Sequence, residues 1–254
     1  MIRPLLFPLI LIWRVYYFAV FIVLFLLLFP VFFVVLLNEK TFCIAFALKR
    51  FVAISSRILA GVYVSVERES KLDQNQSYIY CSNHTSYLDI ELMYSMFPRY
   101  FVFMAKAELR SVPLFRLFFK DMDIAVDRGS KMASHKAFER AGLDIDKGHS
   151  VVMFPEGTIP ENVPEIGRFK NGPFKLAIEK QIPIVPITFK NNYKIMPKKI
   201  WSIDWGGPGI AKVVVHNPIS TTGMTEDNVV SLREEVFNTI NNTLSGYEHR
   251  QSNG

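Results

Sequence analysis

The hydrophobic pattern divides the chain into one long apolar segment and a region of shorter elements. Residues 15–37 carry no charge, and as a helix this stretch would extend about 35 Å, enough for a hydrocarbon core of about 30 Å. Trp13, Tyr16 and Tyr17 at its start are typical of a membrane interface. Pro30 interrupts the segment and leaves open a kinked or re-entrant form. A signal peptide is the alternative, although the apolar run is long for one.

Residues 41–60 alternate apolar and basic side chains at near-helical spacing. This pattern predicts an amphipathic helix that either lies on the bilayer or packs as an ordinary core helix. Only Arg3 and Arg14 precede or open the apolar segment, whereas four basic residues follow it: Lys40, Lys49, Arg50 and Arg57. By the positive-inside bias, we expect the rest of the chain to face the cytoplasm from a cytoplasmic or inner membrane.

Beyond residue 60 the pattern changes to short strands that alternate with helices. Apolar runs predict strands at 62–66, 78–81, 100–104, 122–126, 150–154, 182–189 and 211–216. Helical patterns cover 107–120 with a break near Pro113, 131–146 with Ser130 as its cap, 174–180 and 225–244. This alternation indicates an α/β domain with a mixed, largely parallel sheet flanked by helices.

Composition and charge narrow the classes of function. Of the 254 residues 50% are hydrophobic, and Lys plus Arg outnumber Asp plus Glu by 29 to 23, a net charge of +6. No Lys/Arg cluster interleaves with aromatic residues as in a nucleic-acid surface, so the charge favours an anionic lipid surface or substrate. The 2 cysteines give no disulfide framework, and the 5 histidines lack metal-ligand spacing, so we expect no metal site.

The stretch Asn83–Asp89 carries the first candidate chemistry. It follows a predicted strand, and Thr85 or Ser86 can cap a helix that continues after it. His84 would then lie at the strand-to-helix turn, with Asp89 about one turn inside the helix and within reach of the imidazole. A carboxylate that orients a histidine makes the imidazole a general base. Alone, the stretch also fits a turn with a hydrogen-bonded histidine.

A second stretch, Phe154–Thr158, lies at the end of another predicted strand. With the first, it resembles the glycerolipid acyltransferases, most closely the lysophosphatidic acid acyltransferases of bacteria. Their signature is N-H-x4-D, an Arg after a second strand, F-P-E-G-T and V-P-[IV]. Here these blocks fall at Asn83–Asp89, Arg128, Phe154–Thr158 and Val185–Ile187. The resemblance covers roughly residues 60–220 with order and spacing kept, and four blocks in order are more specific than any one.

The resemblance implies a role for each matching residue. His84 is the base, Asp89 orients it, and Arg128 contacts the phosphate of the acceptor. The alternative for Arg128 is a surface salt bridge with Asp127 or Asp123. Because active sites of such sheets lie at the carboxyl ends of strands, and His84, Arg128 and Glu156–Gly157 each follow a predicted strand, we expect these three to converge there.

Glu156, Gly157 and Thr158 match the acceptor-binding block of the family. Glu156 either hydrogen-bonds the acceptor or orders the loop, and Gly157 permits close backbone approach. The alternative for this stretch is a plain turn. Lys106 either adds positive charge near the phosphate or is a solvated lysine. Cys81 is either a buried strand cysteine or the carrier of a covalent acyl group.

Two departures from the family pattern bear on the acceptor site. Ile159 stands where the family commonly has Arg, and Arg116 stands where it commonly has Gly. Arg168 lies further along the same loop and is a candidate replacement for the missing arginine, because a guanidinium matches phosphate oxygens well. The alternative is that Arg168 pairs with Glu165 on the surface, where the ion pair would contribute little to stability.

These inferences predict a membrane-bound O-acyltransferase of phospholipid biosynthesis. Residues 1–60 would be the membrane anchor and interfacial helix, and residues 61–254 the acyltransferase catalytic domain. The enzyme would move a fatty acyl group from acyl-CoA or acyl-carrier protein, as co-substrate and without a cofactor, to 1-acyl-glycerol-3-phosphate. The product would be phosphatidic acid. The alternatives are another lysophospholipid or a lyso-aminolipid as acceptor, a thioester or ester hydrolase, and a catalytically dead membrane adaptor. Acyl-chain length, donor carrier and oligomeric state stay open.

Overall fold

The computed structural model describes residues 3–112, 116–127, 129–199 and 205–252. Its α-helices are α1 Arg3–Val35, α2 Phe42–Leu59, α3 Leu88–Met96, α4 Phe118–Asp121, α5 Lys131–Asp146, α6 Gly172–Glu179, α7 Asn192–Ile195 and α8 Val229–Ser252. The strands are β1 Val62–Arg68, β2 Ile79–Ser82, β3 Phe101–Lys106, β4 Ile124–Val126, β5 Ser150–Met153, β6 Ile184–Phe189 and β7 Gly209–Val215. Short 3-10 helices cover Glu39–Thr41, Ala107–Ser111 and Glu226–Asn228.

The described strands form one seven-stranded sheet in the order β1-β7-β6-β2-β5-β3-β4. Neighbouring strands run parallel except β6 and β7, which are antiparallel. The prediction of a mixed, largely parallel sheet flanked by helices is therefore confirmed. Strand β2 lies between β6 and β5, with Cys81 beside Pro186 and Met153. The chain that leaves β2 therefore emerges between the carboxyl ends of two parallel neighbours.

The central strands are buried on both faces because helices cover each side of the sheet. β2, β5 and β6 are buried at every residue, as expected for continuous apolar runs in a covered parallel sheet. On one face, Tyr80, Phe101 and Val185 share a core with α1, α2 and α3. On the other face, Val102 and Ile184 share a core with α5, α6 and α8.

The predicted helix at 107–120 and the predicted strand at 122–126 differ from the structure. The helix predicted at 107–120 is instead a 3-10 helix at Ala107–Ser111 and the separate short helix α4, and the break predicted at Pro113 lies outside the described residues. Strand β4 begins two residues later than predicted. The reason is that the backbone N–H groups of Met122 and Asp123 both donate to the carbonyl of Phe118, in the preceding helix, and not to a neighbouring strand.

The apolar segment is a single helix, α1, that begins earlier than predicted. It continues through Pro30, so the interruption expected there is not found. A proline removes one N–H from the helix and its ring crowds the carbonyl four residues earlier, but the rings on either side of Pro30 are held by packing. Phe25 and Phe32 stack at 5.2 Å, and both meet the ring of Phe118 edge-on. By length and composition, the part Phe7–Val35 can cross a membrane.

Helix α1 packs along the domain rather than projecting from it. Near its start, Trp13 Nε1 donates to the carbonyl of Ala60 at 2.9 Å. The Tyr17 hydroxyl donates to the Glu91 carboxylate of α3 at 2.8 Å. Arg14, expected at or before the opening of the apolar segment, lies inside the helix and is fully buried. With the aromatic contacts near its end, α1 touches the domain along most of its length.

Helix α2 packs against the core on one side, as one interpretation of residues 41–60 predicted, and exposes apolar side chains on the other. One side faces the core with its buried residues, which are Phe42, Ala45, Phe46, Val52, Ala53 and Ser56. The other side exposes Ile44, Phe51, Ile58 and Leu59. Helix α1 also exposes large apolar side chains along its outer side, with Leu27 at 72%. We call the exposed apolar side chains of α1 and α2 together the apolar face.

Candidate active site

Two loops meet at the carboxyl edge of the sheet, where β2 and β5 end side by side. The two strands pair in parallel with Cys81 beside Met153, so the chain leaving one strand lies next to the chain leaving the other. The rings of His84 and Phe154 stack, with centroids 4.0 Å apart and planes inclined by 15°. The structure therefore brings together the two stretches that the sequence singled out.

Asp89 holds His84 in one orientation. The Asp89 side chain is fully buried, and its Oδ2 lies 2.9 Å from His84 Nδ1. The same oxygen accepts from the Thr85 N–H at 2.6 Å and the Ser86 N–H at 2.9 Å, and Oδ1 accepts from Asn192 Nδ2 at 2.7 Å. These donors compensate a carboxylate that has lost contact with water. Because Nδ1 faces Asp89, Nε2 is the nitrogen left to accept a proton.

Glu156 orders the loop that follows β5. Its Oε1 accepts from the His84 N–H at 2.7 Å, and its Oε2 accepts from the Gly167 N–H at 2.6 Å. Both oxygens bind the chain's own backbone, which favours loop ordering over direct contact with an acceptor. Burial raises the pKa of Glu156 to about 7, against the opposing effect of the two N–H groups. Gly157, at φ +80°, adopts a conformation in which a side chain would be strained.

Polar residues outside the predicted site list tie the His84 turn to the chain around β6. The Asn83 side chain exchanges hydrogen bonds with the Phe189 backbone at 2.8 and 3.0 Å. The Ser86 hydroxyl donates to the carbonyl of Met196 at 2.6 Å. Asn192 was not predicted, because it reaches its partner across 103 positions and no local motif marks it. Only the fold shows that this segment supports the site.

The predicted cations have different surroundings. Lys106, at the end of β3, is 56% exposed and pairs with Glu108 at 2.7 Å. Arg168 is exposed, and the described residues give it no hydrogen bond or ion pair, so the alternative pairing with Glu165 is not seen. Arg128 lies outside the described residues. Arg168 directly follows Gly167, whose backbone N–H donates to the Glu156 carboxylate.

The remaining predicted positions divide between core and surface. Cys81 is fully buried, and burial raises the pKa of its thiol well above the usual value. A protonated core thiol is a poor nucleophile, so the buried-cysteine interpretation is favoured over an acyl carrier. Thr158 and Arg116 are exposed, whereas Ile159 is only 5% exposed. Position 159 therefore presents no charge to the site.

The geometry fits general-base chemistry. His84 keeps 13% of its side chain exposed, so the imidazole can be reached, while Asp89 behind it is shielded from water. A substrate hydroxyl at Nε2 would meet a base that is already oriented. Among the residues that the structure describes, no three His, Cys, Asp or Glu side chains are placed to share a metal ion.

Comparisons with known proteins show that the chain is similar to acyltransferases. The acyltransferase family model matches residues 63–190. An uncharacterized acyltransferase of Schizosaccharomyces pombe is 30% identical over 201 residues, which cover 77% of this chain and 70% of that protein. The 1-acyl-sn-glycerol-3-phosphate acyltransferase alpha of Mus musculus is 31% identical over 194 residues, which cover 74% of this chain and 65% of that protein.

A solved structure shows the same fold. The crystal structure of the 1-acyl-sn-glycerophosphate (LPA) acyltransferase of Thermotoga maritima matches with a TM-score of 0.76 at 20% identity, over 95% of this chain and 96% of that one. The chain therefore belongs to the acyltransferase family, among the glycerolipid acyltransferases similar to 1-acyl-sn-glycerol-3-phosphate acyltransferases. It is an O-acyltransferase, and the family resemblance drawn from the four sequence blocks is confirmed.

Proposed function

We propose that this enzyme acylates the free hydroxyl of 1-acyl-glycerol-3-phosphate with a fatty acyl group from acyl-CoA or acyl-carrier protein, giving phosphatidic acid. The observation that carries the proposal is the His84–Asp89 pair, fixed beside the Glu156 loop at the carboxyl edge of the sheet. Curated relatives named 1-acyl-sn-glycerol-3-phosphate acyltransferases support the choice of acceptor.

In the proposed mechanism, His84 is the general base. Its Nε2 takes the proton of the acceptor hydroxyl while that oxygen attacks the thioester carbonyl, and the buried Asp89 stabilises the imidazolium that forms. The tetrahedral intermediate then collapses, the C–S bond breaks, and the imidazolium returns the proton to the leaving thiolate. The products are the new ester and the free thiol, so the atoms balance without a covalent acyl-enzyme.

Cations at the edge of the site are proposed to hold the phosphate of the acceptor. Arg128 matches the family's phosphate-contacting arginine. Lys106 ends the neighbouring strand β3, and its salt bridge to Glu108 is exposed, so a phosphate can compete for the ammonium. Arg168 is the proposed replacement for the arginine that is absent at position 159, and its guanidinium is exposed beside the ordered loop.

The apolar face is proposed to place the enzyme on a membrane, with the site reached from the cytoplasm. Because α1 contacts the domain from Trp13 to Phe32, little of its length projects away from the fold. This packing favours a helix pair that dips into the bilayer beside the domain over a helix that crosses it alone. Carbonate extraction tests the attachment, and release of the full-length chain into the supernatant would contradict integral insertion.

Thiol release from acyl-CoA, measured with a panel of lysolipids, tests the proposed reaction. We expect release to require an acceptor, to be fastest with 1-acyl-glycerol-3-phosphate, and to form phosphatidic acid in equal amount. Release without any acceptor would identify a thioester hydrolase instead. Faster turnover with another lysophospholipid or a lyso-aminolipid would identify that lipid as the acceptor in place of 1-acyl-glycerol-3-phosphate. A carrier-protein thioester assayed in parallel decides the donor.

A further inference from the structure

Lys198 connects two loops at the edge of the site. It lies beyond α7, and its Nζ donates to the carbonyl of Ile159 at 2.8 Å and to Glu161 Oε1 at 2.5 Å. The contact places a positive charge on the loop that begins at Glu156, at the position where Ile159 itself turns into the core. Lys198 is 39 positions further along the chain than Ile159, so the positive charge reaches this loop from a distant segment.

The chain just before Lys198 contacts the catalytic turn. The carbonyl of Met196, two residues before it, accepts from the Ser86 hydroxyl at 2.6 Å. Two residues of chain span at most about 7 Å, and the lysine side chain extends back over the loop after Glu156. Lys198 therefore lies between the turn that carries His84 and the loop that begins at Glu156.

The ammonium of Lys198 has a partner that an anion can displace. Glu161 is 67% exposed and shares its carboxylate between Lys198 and Lys199, whose Nζ lies 3.6 Å away. Such an exposed ion pair contributes little to the stability of the fold, because water screens the charges and the two side chains lose conformational freedom. A phosphate carries more negative charge than a carboxylate and can accept from the same ammonium without disturbing the bond to the Ile159 carbonyl.

We propose that Lys198 binds the phosphate of the acceptor in exchange for Glu161 and so sets specificity for phosphate-bearing lysolipids. The inference rests on the proposed function, in that the acceptor is a lysophospholipid. It adds to Arg168 a second cation that can supply the charge that position 159 lacks, again from outside the four sequence blocks. Lys198 is 27% exposed on its side chain, whereas Lys106 is 56% exposed, so Lys198 is the better shielded of these two cations.

Steady-state kinetics of Lys198→Ala test the assignment. With 1-acyl-glycerol-3-phosphate we expect the acceptor KM to rise on the order of tenfold to a hundredfold, as for loss of a charged hydrogen bond, with the donor KM unchanged. With the phosphate-free analogue 1-acylglycerol, wild type and variant should differ little. Lys199→Ala is the matched control, because Lys199 shares Glu161 but is 73% exposed, and its acceptor KM should stay at the wild-type value.

A purely structural role for Lys198 gives a different pattern. Loss of a loop contact alone would lower kcat and raise both KM values with either acceptor, and that result would overturn the proposal. Glu161→Gln provides a test that leaves Lys198 intact: removal of the competing carboxylate should lower the acceptor KM for the phosphate-bearing lipid. An unchanged or higher KM in Glu161→Gln would also overturn it.

The wild-type enzyme separates this inference from the proposed function. If wild type releases no thiol in response to any phosphate-bearing lysolipid, the proposed function fails. If wild type turns over 1-acyl-glycerol-3-phosphate while Lys198→Ala keeps its acceptor KM, only the assignment of Lys198 fails.

Discussion

Asn192→Leu is the substitution that we expect to separate positioning from base chemistry at this site. Leucine has the same branched arrangement of side-chain heavy atoms as asparagine but has no N–H to donate to Asp89. In the wild type, Asn192 Nδ2 lies 2.7 Å from Oδ1, while the Thr85 hydroxyl is 3.4 Å from the same oxygen, too long for a strong bond. After the substitution, Oδ1 keeps only that weak contact, and because Asp89 is fully buried it is not exposed to bulk water that could replace the lost bond.

The structure bounds the size of the effect. A hydrogen bond to a charged group is worth about 1.5 to 3 kcal/mol. If that loss appears in the transition state, where Asp89 stabilises the imidazolium, kcat falls by about tenfold to a hundredfold. Oδ2 keeps its bonds to His84 and the two N–H groups of the turn, so the base itself survives. Since Asn192 is fully buried, we expect neither KM to change.

The assay is steady-state thiol release with saturating donor and acceptor. Asn191→Ala is the matched control: Asn191 bonds the β7 backbone at Ile210 and Lys212 at 2.9 and 2.7 Å, so its loss affects stability but not the site. Asn192→Asp should be more damaging than Asn192→Leu, because it sets two carboxylates face to face. If Asn192→Leu is folded and keeps the wild-type kcat, Asp89 does not need this support and the reasoning is refuted.

Two further predictions concern buried glutamates. Glu156→Gln keeps the size of the side chain but leaves one of the two backbone N–H groups without an acceptor. We therefore expect the variant to lose about 1 to 3 kcal/mol of stability and to lose activity with it. The loss of stability should be seen as a lower melting temperature in detergent. Glu91 accepts from Tyr17 and Ser56, and burial raises its pKa to about 7, above its value in the unfolded chain. The contribution of Glu91 to the free energy of unfolding is therefore fully present below about pH 4.5. It falls by up to about 3 kcal/mol as the pH rises through 7. Thermal melts across this range should show a flatter pH dependence for Glu91→Gln, and equal slopes for the two proteins would refute the assignment.

The local pattern of the sequence was sufficient for most strands of the sheet. β2, β5 and β6 are continuous apolar runs because helices cover both of their faces, and such runs are visible in one sequence. The carboxyl ends of these parallel strands lie at one edge, so His84 and Glu156 were predicted to meet there. Neither prediction required knowledge of which strands are neighbours.

Features that depend on distant contacts could not be read from the sequence. Asn192 supports Asp89 only because β6 lies next to β2 in the folded sheet. Arg14 resembled a residue at the water-facing end of an apolar helix, yet α1 packs on the domain and buries it. Pro30 predicted an interruption, but aromatic contacts on both sides keep the helix continuous. In each case tertiary packing overrode a correct local rule.

Acceptor-dependent turnover by the His84→Ala enzyme tests the central claim most directly. The variant removes the imidazole that lies 2.9 Å from Asp89, while the buried carboxylate keeps its N–H donors, so we expect the fold and the melting temperature to be retained. The rate should fall by about a hundredfold to ten-thousandfold, and Asp89→Asn should be nearly as severe. A folded His84→Ala enzyme that releases thiol and forms phosphatidic acid at close to the wild-type rate would contradict the account.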